Sequence, residues 1–527
     1  MDEKKKENRG ISLLKKGQKG LSAVIFSRLG LIILLLAVQV LVLFAAFYWF
    51  SEFLPHIWGA ALVFTLFMVF YLLNIRMDNS AKITWLIIIM FLPIFGSLLL
   101  LFTRREIGHR GLRKRYAVAV EQTRDAVPQK PEAAEGLKNA DPGSASLAVY
   151  MNRSGCAPIY DNTDVTYFPS GEASFDTMLS ELDKAEHFIF LEYFIVSEGL
   201  MWGRILEILA KKAAAGVEIR MMYDGTNEFS TLPHDYPQRL QKLGIQCKMF
   251  APARPFVSTH YNYRDHRKIM VIDGQTAFTG GINLADEYIN ETHRYGYWKD
   301  TCLMVQGEAV SSFTLMFLQM WAMDEKEPQI DRSFLNIPVP DRKSTPGFVI
   351  PYGDCPLDDD KVGEQVYIDI LNRAQRYVHI MTPYMILDGE LENALKFAAE
   401  RGVEVVLILP GQNDSYISQA LAYTHYASLL ASGVKIYEYT PGFVHAKIFV
   451  SDDRIAVIGT INMDYRSLYH HFECGTYLYS TECNREIEAD FVRTRAQCRE
   501  ITKENVKDEK FTRKITGFLM KPIGTLL

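Results

Sequence analysis

No CxxC pair occurs anywhere in the 527-residue chain, and its seven cysteines (Cys156, Cys247, Cys302, Cys355, Cys474, Cys483, Cys498) are scattered and odd in number. Neither a disulfide framework nor a zinc knuckle is expected, and reduced thiols in a cytosol-facing domain are. A basic surplus is also missing: 57 Lys and Arg stand against 62 Asp and Glu, a formal net charge of −5. There is thus no global field for nucleic acid, and no nucleic-acid partner is expected. No His, Asp and Glu cluster with metal-ligand spacing is apparent, so no metal or other cofactor is expected. Charge is absent as well from three long apolar runs, Leu29–Phe50, Ile57–Asn74 and Ile83–Phe102. Each is near the roughly 20 residues that cross a bilayer. Three in succession do not fit a cleaved signal peptide.

Positive charge crowds both sides of this apolar block. Lys4, Lys5, Lys6, Arg9, Lys15, Lys16, Lys19 and Arg28 precede it, and Arg104, Arg105, Arg110, Arg113, Lys114 and Arg115 follow. Only Glu52 stands between the first two runs. The positive-inside rule places both flanks in the cytoplasm. That requires an even number of crossings, so one run is expected not to cross. Pro93 and Gly96 make Ile83–Phe102 the first candidate, as a kinked, re-entrant or interfacial segment; the first run is the next. The basic cluster after the block suits anionic headgroups and equally suits plain solvation.

A chain of this length exceeds one core, and two to four domains are expected. Residues 1–28 form a basic tail, 29–102 the membrane segment, and 103–160 a basic stretch and linker. Within the last, 123–148 is rich in Ala, Pro, Glu, Lys, Gly and Ser and reads as a loose linker. From there the chain is written twice, as 161–335 and 336–527. Strand-like runs at 188–195 and 217–223 in the first half match 377–382 and 403–409 in the second, with helical stretches between. Strands alternating with helices predict two α/β domains built of parallel βαβ units. A repeat this long is a domain, not a solenoid unit.

Each half carries one short pattern. His266-Arg267-Lys268, four residues, Asp273, six residues and Gly280-Gly281-Ile282-Asn283 recur as His445-Ala446-Lys447, Asp452 and Gly459-Thr460-Ile461-Asn462 with identical spacing. On a strand, residues i and i+2 share a face. His266 and Lys268 therefore point the same way, as do His445 and Lys447. Asp273 and Asp452 complete the frame of each catalytic motif, but fall at the far end of the strand on the opposite face. They are expected to bind turn amides or a basic residue.

These residues resemble the phospholipase D superfamily, defined by paired HxKxxxxD motifs, each with a downstream GxxN. The phrases Asn262–Ile269, Phe278–Asn283, Trp298–Thr301, Thr382–Tyr384, Tyr437–Tyr439, Asn462–Ser467 and Phe472-Glu473 narrow the resemblance to bacterial cardiolipin synthases, as does Lys82–Gly96. The apolar run 29–50 departs from the two-helix pattern of many members. Gly281 stands where Ser is common, with no consequence expected. The resemblance implies that two phosphatidylglycerols give cardiolipin and glycerol, with membrane lipids as partners and no cofactor. Lys268 and Lys447 would neutralise the phosphodiester, and Asn283 and Asn462 would donate hydrogen bonds to it. His266 would attack phosphorus, and His445 would serve as general acid and base. Asp300 and Glu473, each following the histidine of its own half, stand where the superfamily places carboxylates that orient the rings.

A phospholipase D-type hydrolase is the alternative enzyme, and a non-catalytic membrane scaffold the alternative class. Intact paired His–Lys sets argue against the scaffold. His260, His293, His425, His470 and His471 receive no catalytic role. Arg264 and Arg267 suit headgroup attraction and a structural salt bridge equally. Tyr384, Tyr437 and Tyr439 are expected to pack more readily than to touch lipid, and the oligomeric state is left open.

Overall fold

The computed structural model describes residues 10–13, 38, 41, 44, 45, 48 and 58–526, apart from 76, 78, 105–108, 253–262, 326 and 339–344. The basic tail residues from Lys4 to Arg28, most of the first apolar run, Glu52, Arg105, His260 and Asn262 lie outside the described residues.

Each half is organised on one sheet. The first contains β1 (Thr163–Phe168), β2 (Phe188–Tyr193), β3 (Glu218–Asp224), β4 (Gln246–Phe250), β5 (Lys268–Ile272), β6 (Thr276–Gly280) and β7 (Cys302–Gly307). Their order is β1-β7-β6-β5-β2-β3-β4. The second contains β8 (Phe348–Asp354), β9 (Tyr377–Met381), β10 (Glu404–Pro410), β11 (Lys435–Tyr439), β12 (Ile448–Ser451), β13 (Ile455–Gly459), β14 (His471–Tyr479) and β15 (Cys498–Ile501). The order β8-β14-β13-β12-β9-β10-β11 repeats the first, with β15 added at the edge. Central strands such as β2 and β5 are buried at every position. This is why they read as continuous apolar runs rather than alternating ones.

The expected parallel order holds only for part of each sheet. β2-β3-β4 and β9-β10-β11 are parallel. The His-x-Lys strands β5 and β12 join antiparallel to β2 and β9. The motif aspartates show how the hairpin beyond these strands is made. Asp273 and Gly274 take φ of 52° and 63°, and Asp452 and Asp453 take 55° and 60°. Two successive left-handed residues make the tight turn that returns the chain antiparallel. Each carboxylate also binds turn amides, as expected from its position. Asp273 accepts from the backbone N–H of Glu186, His187 and Phe188 at 2.7 Å each. Asp452 accepts from Gln375, Arg376 and Tyr377 at 2.8–2.9 Å. Each aspartate thereby pins the far end of its strand to the start of the neighbouring one.

The two sheets share a core. Phe190, Ile269 and Val271 from the first half pack in one cluster with Met381, Val406, Ile448 and Val450 from the second. The buried helix Val310–Ala322 lies in the same cluster. Separate outer cores cover the other face of each sheet. The stretch expected to be a loose linker belongs to the outer core of the second half. Pro131–Ala140 and Pro142–Gly155 are helices, each opened by a proline, and Asp141 caps the second through Gly143 and Ser144. Ala133, Leu137, Leu147, Ala148 and Met151 pack there. Proline at a first helical position and aspartate at a cap belong to helix starts as much as to linkers.

The membrane segment also differs from the expectation. Among the described residues no helix is long and apolar enough to cross a membrane. The second run gives the 17-residue helix Trp58–Asn74. The third run is two helices, Asn79–Phe91 and Pro93–Arg104. The break falls at the proline singled out in the sequence. A Cβ at Gly96 would lie 2.9 Å from the Ile88 carbonyl oxygen, so the two helices fold against each other. Met68, Leu72, Trp85, Ile89 and Leu100 form a small core among the three.

Candidate active site

Two short ladders join the halves beside the motif histidines. Arg264–Asp265 pairs in parallel with His471–Phe472 at the head of β14. Tyr297–Lys299 pairs in parallel with Gly442–Val444. The next residue in each case is a motif histidine. His266 donates its backbone N–H to the Phe472 carbonyl at 2.9 Å, and His445 donates to the Lys299 carbonyl at 2.7 Å. One residue beyond each acceptor comes a carboxylate. Glu473 lies 2.9 and 3.0 Å from His266 Nδ1, and Asp300 lies 2.7 Å from His445 Nδ1. The sequence order suggests that each carboxylate serves the histidine of its own half. The structure crosses them: each half supplies the carboxylate for the other half's histidine. A carboxylate accepts, so Nδ1 carries the proton in both rings. Both Nε2 lone pairs are left free.

Burial dominates the electrostatics. It pushes His266 down to about 3, with Glu473 pulling up and Lys268 pushing further down. It pushes His445 down to about 4, helped by Lys447 and opposed by Asp300. Both imidazoles are therefore neutral at pH 7. Burial also lowers the ammonium groups, Lys268 to about 8 and Lys447 to about 7, while Asp300 and Glu473 support their charge. Against the burial that would raise them, the neighbouring imidazoles hold Asp300 and Glu473 below the ordinary carboxylate range.

His266, His445, Asn283 and Asn462 line one cavity of about 740 Å³. Lys268 and Lys447 lie beside their histidines, each donating to that histidine's own carbonyl. Lys447 Nζ also lies 3.0 Å from His445 Nδ1. Asn283 accepts from Ile195 N–H at 2.9 Å and donates to the Tyr288 hydroxyl at 2.7 Å, which fixes its amide and leaves one N–H uncommitted. The buried carboxamide oxygen of Asn462 has no hydrogen-bond partner. The motif histidines and asparagines of both halves thus meet at one cavity with the lysines beside the histidines, while Asp273 and Asp452 stay at the far strand ends.

The two half-sites are not equivalent. Thr460 donates its hydroxyl to Glu473. Gly281 holds the corresponding place in the first half, and a Cβ there would lie 2.0 Å from Asp300 Oδ1. The departure at Gly281 therefore has a consequence: the carboxylate itself fills the space.

Several site residues escaped the sequence reading. Phe194, Tyr288 and Trp298 pack their rings 4.8–5.4 Å from the motif imidazoles. His471 is buried with its ring 5.4 Å from His266 and Nδ1 3.6 Å from Glu473, and neither ring nitrogen has a hydrogen-bond partner. Donor atoms of His266, His471 and Glu473 lie within 4.8 Å of one another, close enough to hold a cation. The sequence shows no metal-ligand spacing among the three, and the fold brings them together. The only signal was adjacency to Glu473. Arg267 is not at the cavity; it is buried with Nε 2.7 Å from Glu192. Arg264 does line the cavity, near Asp224 and the Ala251 carbonyl. Tyr384 reaches the cavity wall and donates to Asp414, whereas Tyr437 and Tyr439 pack against the shared core.

Gly281→Ala is expected to displace the Asp300 carboxylate from His445 and cut kcat by about 10²-fold or more, the usual weight of a positioned acid–base group. Circular dichroism and melting should show the fold retained. Activity within about threefold of the parent would show that the packing of Asp300 behind Gly281 is not needed.

The family described as cardiolipin synthase, PLD-like domain matches residues 178–321 and 367–495. A phospholipase D-nuclease N-terminal family matches residues 63–105. An uncharacterized protein of Streptococcus mutans serotype c is 53% identical over 87% of this chain and 99% of its own. The cardiolipin synthase of Geobacillus sp. strain WCH70 is 32% identical over 95% of this chain and 99% of its own. The crystal structure of phosphatidylserine synthase from Haemophilus influenzae Rd KW20 shares the fold, with a TM-score of 0.56 at 14% identity over 73% of this chain and all of that one. The match of both halves to one family, and the near-complete overlap with a curated synthase, make this chain a phospholipase D superfamily enzyme that belongs to the cardiolipin synthase family.

Proposed function

We propose that the enzyme transfers a phosphatidyl group between two phosphatidylglycerol molecules through a phosphohistidine, releasing glycerol and forming cardiolipin. The observation that carries this reading is the pair of crossed imidazole–carboxylate contacts facing one cavity, each ring with a free Nε2. His266 Nε2 attacks phosphorus while the bond to the glycerol oxygen breaks. His445 gives that oxygen a proton. A hydroxyl of the second lipid then attacks phosphorus and gives its proton to His445, and the N–P bond breaks to restore His266. Glu473 accepts from the Thr460 hydroxyl, whereas Asp300 accepts from the Thr301 backbone N–H; the side-chain anchor on the partner of His266 supports His266 as the ring held for attack. Burial keeps His445 neutral, so the proton it delivers is taken up from solvent as the anionic substrate binds, whose charge raises the affinity of the ring for a proton. The lysines supply the positive charge that a divalent cation supplies elsewhere, and the reading requires no metal.

The chemistry is placed at the cytoplasmic face of a cell membrane, with 29–102 as a multi-pass anchor and both basic flanks inside. Exposed Leu62, Val63, Phe67 and Phe70 on Trp58–Asn74 support lipid contact, and the Lys/Arg flanks support the orientation.

Purified enzyme with labelled phosphatidylglycerol in mixed micelles is expected to yield cardiolipin and glycerol, with the label trapped on His266 after quenching. Phosphatidic acid alone would make it a hydrolase. An adduct on His445 would reverse the roles, and no adduct in either case would contradict covalent catalysis.

The pH profile tests the lysines. Lys447 and Lys268 are charged below about 7 and about 8 and lose that charge as pH rises. In mixed micelles kcat/KM is expected to fall as pH rises through this window. A profile flat up to the ordinary lysine value of 10.5 would remove them from phosphate binding.

A further inference from the structure

The C-terminal helix Phe511–Met520 turns an apolar face outward. Its inner side packs on the helix Tyr416–Ala431: a Cβ at Gly517 would lie 2.6 Å from the Ala420 carbonyl oxygen. Arg513 also faces inward, 3.0 Å from Glu509 and over the Tyr423 ring. Met520 packs on Ile386, Leu421 and Tyr465. The outer side presents Phe511, Ile515, Phe518 and Leu519, which are 74%, 41%, 76% and 63% exposed. These positions, i, i+4, i+7 and i+8, form one stripe. A stripe of this kind ordinarily faces a core, and this one is open. Exposed lysines accompany it at Lys503, Lys507, Lys510, Lys514 and Lys521. Between 503 and 521 six basic residues (these five and Arg513) face three acidic ones (Glu504, Asp508, Glu509), in a chain whose net charge is −5.

The segment is continuous with the N-terminal helices on one side and the active-site cavity on the other. After the helix, Lys521–Leu526 runs against Asn79–Phe91, where Thr84 donates to the Pro522 carbonyl at 2.5 Å and lies 3.0 Å from the Thr525 hydroxyl. That N-terminal helix exposes Ile83, Met90 and Phe91. A Cβ at Gly524 would lie 3.7 Å from Ile386, and Ile386 and Ser418 line the cavity.

We propose that Phe511–Met520 lies on the surface of an anionic bilayer, apolar stripe inward and lysines at the headgroups. It is a lipid contact separate from the N-terminal helices, and it holds the cavity mouth against the leaflet that supplies substrate. Apolar burial and attraction of lysine to anionic lipid act together in such a helix, and neither needs a protein partner. The inference rests on phospholipid being the substrate class.

Two experiments on the full-length chain test it. A spin label on Phe518→Cys in proteoliposomes of phosphatidylglycerol and phosphatidylcholine is expected to be shielded from an aqueous nickel chelate and open to dissolved oxygen. Equal access to the chelate in vesicles and in detergent overturns the proposal. The triple variant Phe511→Gln/Phe518→Gln/Leu519→Gln is expected to lose about tenfold or more activity on phosphatidylglycerol vesicles. On the same lipid in detergent mixed micelles it is expected to stay within about twofold, because micelles deliver substrate without a bilayer surface. Equal loss in both formats assigns the stripe to folding, and no loss in either makes it inert; both overturn the proposal. A fall in hydrodynamic mass in the triple variant would instead make the stripe a contact between copies and also overturn it. Failure of the parent to turn over phosphatidylglycerol would count against the proposed reaction alone, because the label experiment reads out without catalysis.

Discussion

Two buried imidazole–carboxylate contacts, His266 with Glu473 and His445 with Asp300, each reach across the boundary between the halves. Neither half can complete a site alone. The short ladders that deliver the histidines are themselves built between the halves, so the backbone that positions each ring comes from the domain that supplies its carboxylate. This arrangement buries ionisable groups at the boundary between the halves. Removing one partner would leave a buried polar group without its hydrogen bond, a change that typically costs about 1–3 kcal/mol. The geometry of the candidate site and the association of the halves therefore depend on the same contacts. The shared apolar core around Phe190, Ile269, Ile448 and Val450 supplies the rigid backing.

The internal repeat gives near-symmetry, and small departures from it make the two half-sites differ. Thr460 binds Glu473, while Gly281 yields its space to Asp300. Lys447 is drawn lower than Lys268, with Lys268 itself contributing to that shift. His471 stands beside His266, and an aromatic wall of Tyr288, Trp298 and Phe443 surrounds His445. A site symmetric in sequence spacing is thus unsymmetric in its electrostatics, which suits the two different roles proposed for the two histidines.

What the sequence made legible was short-range. The i, i+2 spacing of His and Lys, the strand end at Asp273 and Asp452, and the doubled βα pattern all follow from local periodicity. Pro93 and Gly96 marked the place where the third apolar run breaks. The crossing of the carboxylates was not legible, because Asp300 and Glu473 follow the histidines of their own halves in the chain and only three-dimensional pairing distinguishes the partners. The helices within 123–148 were masked by proline, glycine and serine that turn out to start and cap them. Sheet direction was misjudged at β5 and β12, whose antiparallel entry beside β2 and β9 is set by pairing between segments far apart in the chain. For Arg267 the sequence left headgroup attraction and a structural salt bridge equally open, and only the fold, which sets it against Glu192, decides for the salt bridge; Gly281 was misread because its contact with Asp300 is made in three dimensions.

The central claim is that each histidine is held by the carboxylate of the opposite half. The most direct measurement is nitrogen-15 histidine NMR of the Nδ1–H resonances, assigned with His266→Asn and His445→Asn. The His266 resonance should shift in Glu473→Gln and persist in Asp300→Asn, and the His445 resonance should do the reverse. A His266 resonance that responds to Asp300→Asn and ignores Glu473→Gln would contradict the crossed site.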